Sequence, residues 1–199
     1  IDNIEKHAAE IFDESLYARF SEETEVHPDL LSFFHDRLKV FLKDEGVRHD
    51  VIDAVLTQKS DDLLAVTLKA RALQKLVETD DGENLIQGYR RAANILAAEE
   101  KKETKIAETV DPDLFETEEE RALFETLEDV EKLATNAIEA ENYEEAMSRL
   151  ASLRAPIDAF FETVHVNAED EKVRANRLAL LARIRAATAT VADLSRIGG

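Results

Sequence analysis

Apolar residues recur every three or four positions along almost all of the 199-residue chain, which is the spacing of amphipathic helices. Ile4, Ala8, Ile11, Phe12 and Leu16 mark a first helix over 1–20. SEETEVHP (21–28) is polar, ends in Pro28 and reads as a connection. Asp29 opens a second helix to about Asp44, with Leu30, Phe33, Phe34, Leu38, Phe41 and Leu42 on one broad apolar face and Gly46 as its stop. Residues 48–56 form a short helix. Asp61 caps the next, which runs to about Thr79 and buries Leu64, Leu68, Ala72 and Leu76. TDDG (79–82) reads as a turn. From Glu83 to about Lys102 a longer helix turns Leu85, Tyr89, Ala93 and Leu96 inward and Arg90, Arg91 and Asn94 outward.

The pattern changes at 103–116, a polar stretch around Asp111-Pro112 that reads as a loop. Thr117 and Glu120 form a capping box for a helix to about Glu141, and Asn142 caps the one after it. Pro156 interrupts or restarts that helix, which ends near Val164. Asn167 with Asp170 caps a last helix to about Ile197, whose buried stripe is Val173, Leu180, Ile184, Ala187 and Val191. Seven or eight helices in short succession predict an all-α antiparallel bundle. Five Gly, three Pro and few aromatics agree with packed helices. IDNIEKHAAEIFDES lacks the basic-then-apolar pattern of a signal peptide, and the absence of an initiator Met suggests a piece of a longer chain.

Charge adds a second feature. The formal net charge is −19, which argues against broad affinity for nucleic acid, DNA included. Residues 103–145 hold 16 acids and 3 bases, a net of −13, whereas 172–199 hold 6 bases and 1 acid, a net of +5. The last helix therefore carries Lys172, Arg174, Arg177, Arg183 and Arg185 beside its apolar stripe, with Arg177 nearest the core. Two readings stand: these arginines pair with the acidic segment, or they meet phosphate. GYRRAANIL (88–96) gathers Arg90, Arg91 and Asn94 on one surface, suited either to bases and phosphates or to plain solvation.

Catalytic chemistry is not indicated. No cysteine is present, so there is no thiolate metal site or thiol nucleophile. His35-Asp36 and His49-Asp50 suggest a metal phosphohydrolase, but the other histidines, His7, His27 and His165, have no ligand spacing. No phosphate-binding glycine loop, zinc motif or nucleophile elbow occurs. No apolar run is long enough to span a membrane. The sequence therefore predicts no catalytic residue, no metal and no cofactor in this chain.

Three stretches carry a resemblance. FFHDRLKVFLKDEGVRHDVIDAVL (33–56), GYRRAANIL (88–96) and LASLRAPIDAFFETVHVNAEDEKVRANRLALLARIR (150–185) together resemble the C-terminal part of the β subunit of bacterial glycyl-tRNA synthetase. The third is the most specific, above all APIDAFFETVHVNAED followed by RANRLALL. The resemblance runs in order over about 30–199 and reaches the family's C-terminal end. It implies a helical anticodon-binding domain of the DALR type over 30–199, with 1–29 a connecting helix or the tail of an upstream domain.

The same resemblance implies a cytoplasmic α2β2 enzyme whose α subunit handles ATP, Mg and glycine while the β subunit helps bind glycine tRNA. The partners implied are the anticodon loop, the α subunit and the rest of the β subunit. Arg37, Lys39, Arg90, Arg91, Asn94, Arg174 and Arg177 are the expected tRNA-binding residues. Lys39 and Arg174 are assigned to phosphate, and Arg90, Arg91 and Asn94 to bases. Exposed loop bases are what RNA-binding proteins read, and the informative anticodon bases of glycine tRNA are two cytosines. A helical protein-interaction module, with the arginines as its salt-bridge rim, is the alternative from another class.

Overall fold

The computed structural model describes residues 28–58 and 60–198. The helix expected over 1–20 and the connection up to residue 27 lie outside them. The described residues form eight α-helices: α1 Pro28–Asp44, α2 His49–Val55, α3 Leu63–Val77, α4 Asp80–Glu100, α5 Glu118–Glu139, α6 Tyr143–Ala151, α7 Arg154–Thr163 and α8 Glu171–Ala189. Two 3-10 turns, Pro112–Leu114 and Leu194–Arg196, complete them, and no strand occurs among the described residues. The all-α bundle is as expected.

Local signals set most boundaries. Thr117 accepts from the Glu120 amide while the Glu120 carboxylate reaches back to the Thr117 amide, closing the capping box. Asn142 caps α6 by accepting from the Glu145 amide. Other boundaries shift. Asp62, one residue after the expected cap, caps α3. The 79–82 stretch is no turn: Thr79 caps α4 and Asp80, Asp81 and Gly82 are its first turn, where acids oppose the helix dipole. Pro156 breaks nothing, because it lies in the first turn of α7, where its missing N–H has no intrahelical partner to lose. Asp170 alone caps α8, accepting from the amides of Lys172 and Val173. That helix stops at Ala189, well before Ile197.

The core is one cluster spanning the bundle, from Leu42, Ile52 and Leu73 through Leu85 and Leu96 to Leu127, Phe160 and Leu178. Helix α8 runs through it, packed on α4 and α5, with Leu178, Ala179, Leu180 and Leu181 all buried. Its burial is thus all round along this stretch, not confined to the expected stripe. Gly88 lets α4 approach α7: a Cβ there would meet Ile157 Cγ2 at 2.7 Å. Gly88→Ala is expected to cost about 1–3 kcal/mol by overpacking, read as a lower urea midpoint.

Helix α1 departs most from expectation. Leu42 is buried, but Phe33 is 52% exposed and Leu30, Phe34, Val40 and Phe41 are exposed as well. The helix rests on α2 and α3 through the side carrying Leu31, His35, Leu38 and Leu42, with Leu30, Phe34 and Phe41 on the flank of that side and Phe33 and Val40 opposite it. Leu64, expected inside, is 64% exposed. Near the start of α3, the inward positions one turn on are taken by Val66 and Thr67.

Candidate nucleic-acid interface

The basic helix α8 turns most of its charge on its own bundle. Arg177 is 4% exposed and Glu120 0%. Arg177 Nε donates to Glu120 Oε1 at 2.6 Å, one terminal nitrogen donates to Glu116 Oε2 at 2.7 Å, and the other donates to the His165 carbonyl at 3.0 Å. Burial pushes the Glu120 carboxyl up, but Arg177 and the amides of Glu116 and Thr117 outweigh it and hold it below the usual carboxylate range. Arg183 forms a fork with Glu131, at 3.1 and 2.7 Å, and lies over the Phe124 ring. Arg185 pairs with Glu100 at 3.0 Å. Of the two readings of this helix, structural pairing accounts for Arg177, Arg183 and Arg185.

Asn176, buried beside Arg177, exchanges two hydrogen bonds with the Asp111 backbone, at 2.7 and 2.9 Å, and so straps the 103–116 segment to α8. The sequence reading missed this contact. It also missed the second role of Glu120 as ion-pair partner. A signal existed: Glu120, Leu123, Leu127, Val130, Ala134 and Ala137 lie on one buried stripe, so a core arginine and a core glutamate were both waiting for partners.

On α4 the three predicted residues separate. Arg90 is half-buried, and a terminal nitrogen donates to the Ile197 carbonyl. The same segment is pinned by Gly198 N–H donating to Asp50 Oδ2 at 2.6 Å, while Asp50 also takes Arg48. Burial raises the Asp50 carboxyl, yet Arg48 and the Gly198 amide bring it below its ordinary value. Asp50 of the second His-Asp dipeptide is therefore a clasp for the tail. His35 of the first sits 2.6 Å from the Ser60 carbonyl oxygen. Among the described residues, no three His, Asp or Glu side chains gather as metal ligands.

Arg91 and Asn94 remain exposed one turn apart. The Arg91 guanidinium lies over Phe161 of α7, 4.4 Å from the ring centroid. Arg174, at the start of α8, is half-buried and donates to the Ala168 carbonyl at 3.1 Å, and its charge also reaches Glu99 on α4. Lys105, Lys172 and Arg174 line a groove of 870 Å³ between the 104–111 strap and α8. The second half of α4, the α7–α8 loop and the first turns of α8 thus converge. Arg37 and Lys39 lie elsewhere, on α1: Arg37 stacks over Phe33 at 5.2 Å and Lys39 pairs with Asp53 at 3.1 Å.

These helices coincide with a known family. The model of the DALR anticodon-binding domain matches residues 85–194, from α4 to the last 3-10 turn, and the chain belongs to that family. It is similar to the glycine–tRNA ligase β subunit of Dinoroseobacter shibae, 56% identical over 173 residues, which is 86% of this chain and 24% of that subunit. The β subunit of Cereibacter sphaeroides ATCC 17023 is 52% identical over 181 residues, 90% of this chain and 26% of the subunit. That of Paracoccus denitrificans is 51% identical over 173 residues, 86% and 25%. The chain therefore spans about a quarter of the relatives' length. Each relative bears a synthetase name, and the interaction-module alternative draws no support from them. No described helix is long and apolar enough to cross a membrane.

Proposed function

We propose that this chain is the anticodon-binding module of a glycine–tRNA ligase β subunit, and that α4 carries its reading surface. The observation behind the surface is selective exposure. The cations of α8 are largely spent on carboxylates, whereas Arg91, whose guanidinium meets only the Phe161 ring and, at 3.5 Å, the Phe161 carbonyl, and Asn94 stay exposed with no carboxylate partner among the described residues. An arginine plane can stack a splayed base, and an amide one turn away can address the O2 and N3 edge of cytosine. Arg174 stands beside α4 and Lys172 across the neighbouring groove, and both supply phosphate contacts. Arg90 and Arg177 act as residues that hold the surface in shape. ATP, Mg and glycine chemistry belong to the α subunit of a cytoplasmic α2β2 enzyme, and this module holds no cofactor.

Amide chemical-shift mapping with a glycine anticodon stem-loop tests the reading. Shifts are expected along 91–98 and 161–174, and none on α1. A map confined to α1, or no response, contradicts it. Lys172→Ala and Arg174→Ala are expected to weaken cognate and noncognate stem-loops alike and to lower the salt slope by about one unit each, measured by titration at several salt concentrations.

A further inference from the structure

Given the reading of α4 as the anticodon surface, on which this rests, we propose that the groove between the 104–111 strap and the start of α8 selects RNA by its sugar. Asp111 accepts a ribose 2′-hydroxyl there, while Lys105, Lys172 and Arg174 hold the adjoining phosphates. Two grooves of similar size differ in how their cations are engaged. One, of 840 Å³, lies between the α1–α2 turn, α3 and the start of α6, and there Arg71 is paired with Glu45 and Lys75 with Glu144. In the other, of 870 Å³, Lys105 and Lys172 are exposed and without an ion pair among the described residues, and Arg174 donates to the Ala168 carbonyl instead of a carboxylate. Cations left unpaired in a groove are available to a polyanion.

The same groove holds a carboxylate fixed in place. Asn176, 1% exposed, donates to the Asp111 carbonyl and accepts from the Asp111 amide, which sets the backbone there. The Ala107 amide donates to the Ala175 carbonyl at 3.2 Å and holds the strap four residues earlier. Asp111 Oδ1 accepts from the Asp113 amide at 3.0 Å, which sets the side chain. Among the described residues no donor takes Oδ2, and no ion pair joins it to the three cations that share the groove. Glu108 and Glu171 line the groove as well, but no hydrogen bond among the described residues fixes either side chain. A carboxylate already held in orientation gives up little freedom on binding.

Unpaired cations and an unpaired carboxylate in one groove call for a ligand that is anionic at one end and a hydrogen-bond donor at the other. A ribose phosphate is both. Its phosphate oxygens accept from Lys and Arg, and its 2′-hydroxyl donates to an acid, as in the carboxylate–ribose contact of dinucleotide-binding folds. Deoxyribose lacks that donor, so the contact separates RNA from DNA. The groove also lies within reach of bases read by α4. Thr104, which lines it, donates to Glu99 Oε2 at 2.7 Å, and Glu99 follows Asn94 by five residues, about 7.5 Å along the helix. A loop whose bases lie on Arg91 and Asn94 thus brings its backbone to the groove.

Titration of the full chain with a glycine anticodon stem-loop, and with stem-loops carrying one 2′-deoxynucleotide at each loop position in turn, tests this. Wild type is expected to bind about tenfold more weakly when one particular loop nucleotide is deoxy, the size of a hydrogen bond to a charged group. Asp111→Ser keeps a hydroxyl for the Asp113 amide but does not reach the sugar. It is expected to bind the all-ribose loop about tenfold more weakly, to be indifferent to the deoxy substitution at that nucleotide, and to keep the preference for the two cytosines. Glu108→Gln and Glu171→Gln are expected to stay as sensitive as wild type. Wild-type indifference to every deoxy substitution, undiminished sensitivity in Asp111→Ser, or loss of sensitivity in Glu108→Gln or Glu171→Gln overturns the proposal. A cytosine preference that persists alongside any of these leaves the anticodon reading standing, whereas a stem-loop that does not bind ends both.

Discussion

Arg177→Ala is expected to lower the unfolding free energy by about 3–5 kcal/mol, the cost of leaving a buried charge without its partner. Glu120, with no solvent exposure, would lose Arg177 while keeping only the uncharged donors of the Glu116 and Thr117 amides and the Thr117 hydroxyl. Replacing both members with apolar or neutral residues, as in Arg177→Met with Glu120→Gln, is expected to recover much of the loss, because removing a whole buried pair is often close to neutral. Acid distinguishes this cause from simple loss of packing. With Arg177 present, the folded Glu120 carboxyl sits below its ordinary value of 4.5. Its contribution is therefore complete above that value and is lost as pH falls through the folded pKa. Without Arg177 the same burial is opposed by the Glu116 and Thr117 donors alone, so the carboxyl stands higher than in the wild type and less of that contribution remains. The gap between wild type and Arg177→Ala is expected to narrow as pH falls through the carboxyl pKa of the variant toward the lower one of the wild type, measured by urea unfolding at a series of pH values. A gap that stays constant means Glu120 does not carry the charge argued here.

The second large effect lies on α4. Arg91→Ala or Asn94→Ala is expected to cost about 1–3 kcal/mol in discrimination between the glycine anticodon and one with a cytosine replaced, roughly a 5- to 150-fold change in the affinity ratio. Stability should move by less than about 1 kcal/mol, since both side chains are exposed and Arg91 loses only its stacking on Phe161 and one long hydrogen bond. Arg90→Ala should behave in the opposite way. Its guanidinium secures the Ile197 carbonyl, so its loss loosens the tail and lowers stability, with cognate and noncognate affinities falling together.

Much of this bundle was legible because helix periodicity and capping are local. Thr117, Glu120, Asn142 and Asp170 announce helix starts within four residues of sequence, and the structure keeps all four as capping residues. The 79–82 stretch misled because Gly82 usually marks a turn, yet here it sits inside a first turn where the Leu76 carbonyl leaves no room for a side chain. Long-range facts were less legible. The exposed side of α1 could not be told from its buried side, because both carry apolar residues and only the neighbours decide which is covered. Arg177 was recognisable as near the core, but its partner lies 57 residues away on a helix full of glutamates. The candidate site was legible as residue types on α4. Its separation into Arg90 as a clasp and Arg91 with Asn94 as an open face required the tail and α7 in place.

In the proposed function α4 reads anticodon bases while α8 spends most of its charge internally. The most direct test is the affinity of wild type, Arg91→Ala, Asn94→Ala and Arg183→Ala for a glycine anticodon stem-loop and for one with each cytosine substituted in turn. Wild type is expected to prefer the unsubstituted loop, the two α4 variants to lose that preference, and Arg183→Ala, whose guanidinium is engaged by Glu131, to keep it. Unchanged preference in both α4 variants, or its loss on replacing Arg183 alone, would contradict it.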